Sequence, residues 1–275
     1  MEIQQIGKRG ILFTFFEPYK TNVFAIIGEK HTFICDTFLG PESMKSVVKY
    51  LKEQKKFLPT NIIIFNSHAD YDHIWGNCFF SNKIIIAQEN FEHVFRKKAQ
   101  EELVKYKNYQ KGKVSLVKPN LLFHSKLFFP EDQIIFFSSP GHTIESASCF
   151  DAQDKILFVG DNVEEPFPYI NNLDIETYIN TLEKYLSFDC KLIITGHDKV
   201  LKNKSLVKSN LDYLYSLKLG DVDIFKFTYS EKKIHRMNLQ KILSLVSDEE
   251  KKEKKYQKFK RDLTTLSTQL KKENY

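Results

Sequence analysis

The sequence predicts a mixed α/β fold, and three observations predict it. β-Branched and aromatic runs alternate with amphipathic segments through the first two hundred of its 275 residues. A pattern of strand, turn, strand and Asp occurs twice. Beyond residue 220 the composition shifts to Lys and Glu with spaced apolar positions.

Taken in order, strands are expected at 11–16, 23–27, 32–35, 62–65, 84–87, 134–138, 148–150, 156–159 and 192–195. Each is a short run rich in Ile, Val, Phe or Thr. Helical periodicity covers 42–55, 88–106, 174–187 and 205–217. From 230 to 275, Leu239, Ile242, Leu243 and Val246 mark an amphipathic helix, and a long charged helix follows. The expected domains are 1–220, which carries the chemistry, and 221–275, a charged helical C-terminal extension.

At 42% hydrophobic the chain can bury a full core, which excludes a disordered protein. The apolar run at 11–16, between Arg9 and Glu17, is too short for a secretory signal, and no run approaches a membrane span. A cytoplasmic location is expected. Cys35, Cys78, Cys149 and Cys190 form no CxxC pair, so thiols are expected rather than a zinc knuckle or a disulfide framework. The net charge of +6 sits in the tail: residues 191–275 carry 20 basic and 11 acidic residues, leaving the first 190 at −3. The body therefore gives no support to nucleic-acid binding, and a small-molecule substrate is the expected partner. No membrane partner is expected, and the C-terminal helices offer a surface for a homo-oligomer.

The repeat locates the chemistry. Residues 23–36 run strand, turn, strand, Asp36, followed by a helix, the strand 62–65 and His68. Residues 148–161 run strand, turn, strand, Asp161, followed by a helix, the strand 192–195 and His197. Each half delivers an Asp and a His at the C-terminal ends of strands, where α/β folds place their sites.

Directly after the strand 62–65 comes Asn66-Ser67-His68-Ala69-Asp70-Tyr71-Asp72-His73-Ile74-Trp75-Gly76-Asn77. Four metal-ligating side chains, His68, Asp70, Asp72 and His73, fall within six residues. On a tight loop entering a helix, His68, Asp70 and Asp72 can face one side while His73 reaches over the top. Pro140-Gly141-His142-Thr143, Gly160-Asp161-Asn162 and Gly196-His197-Asp198 each follow an apolar run. Singly these are weak signals, but in this order and with the cluster they are strong.

Together these residues resemble the ordered motifs of the metallo-β-lactamase superfamily over about residues 10 to 200. The resemblance implies an αββα sandwich with a metal site at one edge. Carried over by position, it implies that His68, Asp70 and His142 bind one metal and Asp72, His73 and His197 a second, with Asp161 bridging. Asp36 matches the family's first motif, a residue that orients ligands.

One position departs from the common HxHxDH pattern: Asp70 stands where the second His normally is. A carboxylate is harder than an imidazole, so the two divalent ions implied are zinc, or iron or manganese because of Asp70. Asp70, Asp72, Asp161 and a bridging hydroxide carry about −4, which balances two divalent ions and predicts either less pull on anionic substrates or a metal stable at a higher charge.

The implied activity is metal-dependent hydrolysis, in which a bridging water attacks an ester, thioester, amide or phosphoester and Asp72 orients it. The PGHT at 140–143 is similar to that of hydrolytic members. The alternative is a non-haem diiron oxidoreductase or an oxygen or nitric oxide sensor, resembling the flavodiiron core, where a carboxylate replaces the same His. Tyr71, Trp75 and Phe167 are candidates for a pocket lining or for core packing, and 164–169 for a rim loop. Surface or capping roles are expected for His31, His93, His124 and His235.

Overall fold

The computed structural model describes residues 1–54 and 61–272. The expected helix 42–55 and the expected tail 230–275 each end outside the described residues. The chain separates into two compact units.

The first unit comprises Met1–Ser139, Glu145–Gly160 and Asp189–Lys202. It opens with β1 (Glu2–Ile6), β2 (Gly10–Phe15), β3 (Thr21–Ile27) and β4 (Thr32–Cys35), then α1 (Pro41–Leu51), β5 (Ile62–Phe65) and the short α2 (Tyr71–Ile74). β6 (Ile84–Gln88), α3 (Phe91–Lys105), β7 (Leu121–Phe123), β8 (Lys126–Phe129) and β9 (Ile134–Ser138) follow. β10 (Ala147–Asp151), β11 (Ile156–Phe158) and β12 (Leu192–Ile194) complete it.

Two sheets result. The first has the order β1-β2-β3-β4-β5-β6-β7, and the second β12-β11-β10-β9-β8. β4, β5, β6 and β7 pair in parallel, as do β11 and β12, while the other neighbours are antiparallel. The central strands are near-continuous apolar runs because both faces are covered. In β3, Phe24 and Ile26 join one core with Phe33, Phe65, Phe136 and Phe158, whereas Val23 and Ala25 join another with Met44, Val47 and Phe91. Alternation of Cβ across a strand sorts one run into two cores.

Three strands escaped the sequence reading: β1, β7 and β8. All lie at sheet edges and keep exposed positions; β1 is mostly polar, and the apolar runs of β7 and β8 are only three residues long, too short to mark a strand. α1 starts with Pro at its first helical position, where no backbone donor is needed. α3 begins three residues later than expected, since Gln88 ends β6 and its side chain accepts from the Asn90 amide at 2.7 Å. Cys35 and Cys149 lie in the core shared by both sheets, and no cysteine is in a disulfide.

The second unit comprises Pro140–Ile144, Asp161–Phe188 and Asn203–Tyr275. It holds α4 (Ile175–Ser187), α5 (Ser205–Leu219), α6 (Tyr229–Leu245) and α7 (Lys254–Lys272). The Asp174 carboxylate caps α4, and Thr228 and Glu231 form a reciprocal capping box on α6. α5 stops at Gly220, whose φ of 69° suits a residue without Cβ. No described helix is long and apolar enough to cross a membrane.

Candidate metal centre

The site begins with register. β4 lies parallel to β5 with Cys35 opposite Phe65, so Asp36 and the 66–68 turn leave adjacent strand ends together. The Asp36 amide donates to the Phe65 carbonyl at 2.8 Å, and its φ of 61° turns the chain sharply. A left-handed conformation costs an Asp about 1 kcal/mol. The return is a fully buried carboxylate with three donors: the Ser67 amide, the Ser67 hydroxyl and His73 Nδ1, each at 2.7 Å.

Those bonds set the histidine tautomers. Ser67 gives its only hydroxyl proton to Asp36, so at 2.9 Å it accepts from His68 Nδ1. Asp36 thus holds His73 directly and His68 through Ser67, and both rings present Nε2. Glycine at 160 permits this: a Cβ there would lie 2.8 Å from the Ser67 Cβ, and its φ is 55°.

The second parallel pair repeats the arrangement. β11 and β12 align Phe158 with Ile194, and the Gly196 amide donates to the Gly160 carbonyl at 2.8 Å. His197 follows. Its Nδ1 lies 2.6 Å from the Lys20 carbonyl, which can only accept, so Nδ1 carries the proton. Asn22 clamps the same turn, its side-chain amide donating to the Thr195 and Asp198 carbonyls at 2.9 Å.

In this unit Asp72, His73 and His197 come together. His73 Nε2 and His197 Nε2 are 3.4 Å apart, and Asp72 Oδ2 lies 3.6 Å from the first and 3.5 Å from the second. With both Nδ1 protons committed elsewhere, three acceptor atoms face one another. A tetrahedral ion with bonds of about 2.0–2.2 Å sets neighbouring ligands roughly 3.3–3.6 Å apart. Two imidazoles and a carboxylate at that spacing fit a divalent metal.

His68 Nε2 lies 3.7 Å from Asp70 Oδ2. The other Asp70 oxygen accepts from the Lys98 ammonium on α3. Burial works against that ammonium, yet Asp70 and Glu102 outweigh it and hold Lys98 above the usual lysine range. Burial lifts Glu102 to about 7 against the opposing pull of Lys98.

His142 and Asp161 belong to the second unit. The His142 amide donates to Asn162 Oδ1 at 2.9 Å, and its Nδ1 donates to the Tyr169 carbonyl at 3.1 Å. Its Nε2 therefore accepts, and Asn171 Nδ2 reaches it at 3.1 Å. Asp161 is buried, and its carbonyl accepts from Tyr178 OH at 3.4 Å. Gly141 lies against the Tyr178 ring, where a Cβ would come within 2.5 Å.

Four supporting groups were missed by sequence reasoning: Ser67, Lys98 and the carbonyls of Lys20 and Tyr169. Ser67 had a signal in its place between strand and His68; the others had none. Of the suggested lining residues, Trp75 is buried core and Phe167 stacks on Tyr213 at 4.1 Å, while Tyr71 is half-buried and accepts from Tyr19 OH at 2.6 Å. His235, expected at the surface, is instead fully buried, its Nδ1 2.8 Å from Tyr213 OH. The imidazole is tolerated there because a phenol partners it.

Residues 17–197 match the metallo-beta-lactamase superfamily. The chain belongs to that superfamily. Solved structures agree on the fold. A metallo-beta-lactamase from Pontibacter korlensis is similar at a TM-score of 0.62 and 16% identity, over 78% of this chain and 98% of that one. One from Hirschia baltica gives 0.60 and 14%, over 78% and 96%. Comparison with curated proteins finds no match. With its two sheets and seven α-helices among the described residues, the chain has the superfamily's mixed α/β fold. Membership and the ligand cluster together support a metal-dependent hydrolase at superfamily level.

Proposed function

We propose that this chain is a hydrolase with a dinuclear metal centre acting on a small molecule that carries an ester, thioester, amide or phosphoester. The observation that carries the reading is the uniform presentation of Nε2 by His68, His73, His142 and His197, each with Nδ1 engaged elsewhere. Such orientation of the remote nitrogen is what metal-binding histidines need.

In this reading His68, Asp70 and His142 would hold one ion, Asp72, His73 and His197 would hold the other, and Asp161 would add a further carboxylate. When bound, the ions supply Lewis acidity that activates water and polarises the electrophile. The chain's own part is orientation and proton handling. Asp36 and the Lys20 carbonyl keep the rings in one tautomer. Asp72, the catalytic residue, offers a carboxylate oxygen to orient the nucleophile and take its proton.

A second reading, a diiron redox enzyme or oxygen or nitric oxide sensor, is favoured by one observation: the carboxylate of Asp70, which suits iron better than imidazole does. Elemental analysis of protein purified without added metal, with a panel of ester and phosphodiester substrates, separates the two. About two zinc or manganese per chain with hydrolysis is expected. Iron with a visible spectrum and no hydrolysis would favour the second reading. A chain that takes up no metal would end both.

A further inference from the structure

The ligand-rich turn carries a carboxylate where a neutral imidazole is usual, and the carboxylate is not alone. Lys98, in the middle of α3, places its ammonium on Asp70 Oδ1. Glu102, one turn further along, has Oε1 3.9 Å from the same nitrogen. Glu145, fully buried, accepts from the Ala69 amide at 3.2 Å, one residue from Asp70. The ammonium is thus drawn to Asp70 among acidic neighbours. The two Asp70 oxygens are differentiated as a result, Oδ1 turned to Lys98 and Oδ2 standing 3.7 Å from His68 Nε2.

We infer that Lys98 is a positioning residue that makes Asp70 a one-oxygen, charge-compensated metal ligand, so that the Asp70–Lys98 pair takes the place of a neutral imidazole. The inference rests on the metal-centre reading above. A lone carboxylate adds a full negative charge and can chelate through both oxygens, which suits hard ions of high coordination number. An ammonium on one oxygen removes both properties: the pair is net neutral and one oxygen is left for the metal. The carboxylate at position 70 then need not shift the centre from zinc toward manganese or iron.

The pair also makes the two residues interdependent. An imidazole at position 70 would face a half-buried ammonium that has lost its nearest anion and keeps only Glu102 at 3.9 Å. Methionine at 98 fills the same volume without charge and would suit that imidazole.

The test is competition with a chelator for zinc and for manganese, with metal content per chain and apo-protein melting. It uses the wild type, Lys98→Met, Lys98→Arg, Asp70→His and the double Asp70→His/Lys98→Met. Loss of a group that orients a ligand costs about 10–100-fold in metal affinity. Lys98→Met should lower zinc affinity by about tenfold while manganese is spared, and Lys98→Arg should keep the wild-type zinc-to-manganese ratio. Asp70→His should lose zinc at one position, and the double variant should regain at least about tenfold of it. A zinc-to-manganese ratio that Lys98→Met leaves unchanged, or a double variant no better than Asp70→His, would overturn the inference. Apo melting separates these outcomes from misfolding, and Lys98→Arg supplies the comparison where Lys98→Met unfolds. A wild type that takes up no metal would overturn the metal-centre reading as well, whereas a metal-loaded wild type with additive variants overturns this inference alone.

Discussion

The two ends of β4 treat buried acids in opposite ways. At its N-terminal end, Asp132 is fully buried and accepts from the Lys30 amide at 2.8 Å, the His31 amide at 3.3 Å and His31 Nδ1 at 2.7 Å. Nearby, Asp151 pairs with the Arg9 guanidinium through both oxygens and accepts from the Gln153 and Asp154 amides at 3.0 Å. Donors there match acceptors, and the result is a structural clasp. At the C-terminal end Asp36 is equally satisfied, but one of its three donors is the back of His73, whose Nε2 meets His197 Nε2 and the Asp72 carboxylate as acceptors. Saturated acids hold a fold together; converging acceptors mark a place for a cation.

Breaking Asp36 should have the largest effect. Asp36→Ala leaves the Ser67 amide and hydroxyl and His73 Nδ1 without their buried acceptor, at about 1–3 kcal/mol each. Denaturant unfolding should report a loss of about 3–5 kcal/mol, and metal affinity should fall about 10–100-fold. Asp132→Ala should cost less in the same unfolding experiment, about 1–3 kcal/mol in all, because exposed Lys30 and part-exposed His31 can turn to water instead, while metal affinity stays at the wild-type value. If Asp132→Ala weakens metal binding as much as Asp36→Ala does, the division of labour between the two ends is lost.

His235 gives a smaller and pH-dependent contrast, since it is a buried imidazole with a structural partner rather than a ligand set. Burial, with help from Lys258 on α7, depresses it to about 3. A depressed pKa means that the unfolded chain binds a proton where the folded chain does not. The stability is therefore fully present above about 6.5 and is lost as pH falls toward about 3, by at most about 1.4 kcal/mol per pH unit. Unfolding free energies at pH 7 and pH 5 should show that slope, and His235→Phe should flatten it. An equal slope in the variant would assign the acid sensitivity elsewhere.

The central strands and the ligand carriers were legible because their signals are local. Ile62, Ile63, Ile64 and Phe65 announce a strand buried on both faces, and His68 to His73 follow at once. The edge strand Glu2–Ile6 was not legible, because it covers little core and three of its five residues are exposed. Lys98 was not legible either. It pairs with a residue 28 positions away, and on a helix rich in Lys and Glu it looks like any solvated charge.

The sequence by itself determined which atoms are able to ligate a metal and that each half would deliver an Asp and a His at the C-terminal ends of strands. Side-chain identity and the alternation of apolar runs suffice for that. Only the tertiary structure decided which nitrogen each histidine presents. The Lys20 carbonyl that holds His197 lies 177 positions away, and His142 rests on the Tyr169 carbonyl. Every residue carries a backbone carbonyl, so a contact to one leaves no mark on residue type, and folding alone selects which carbonyl meets the ring.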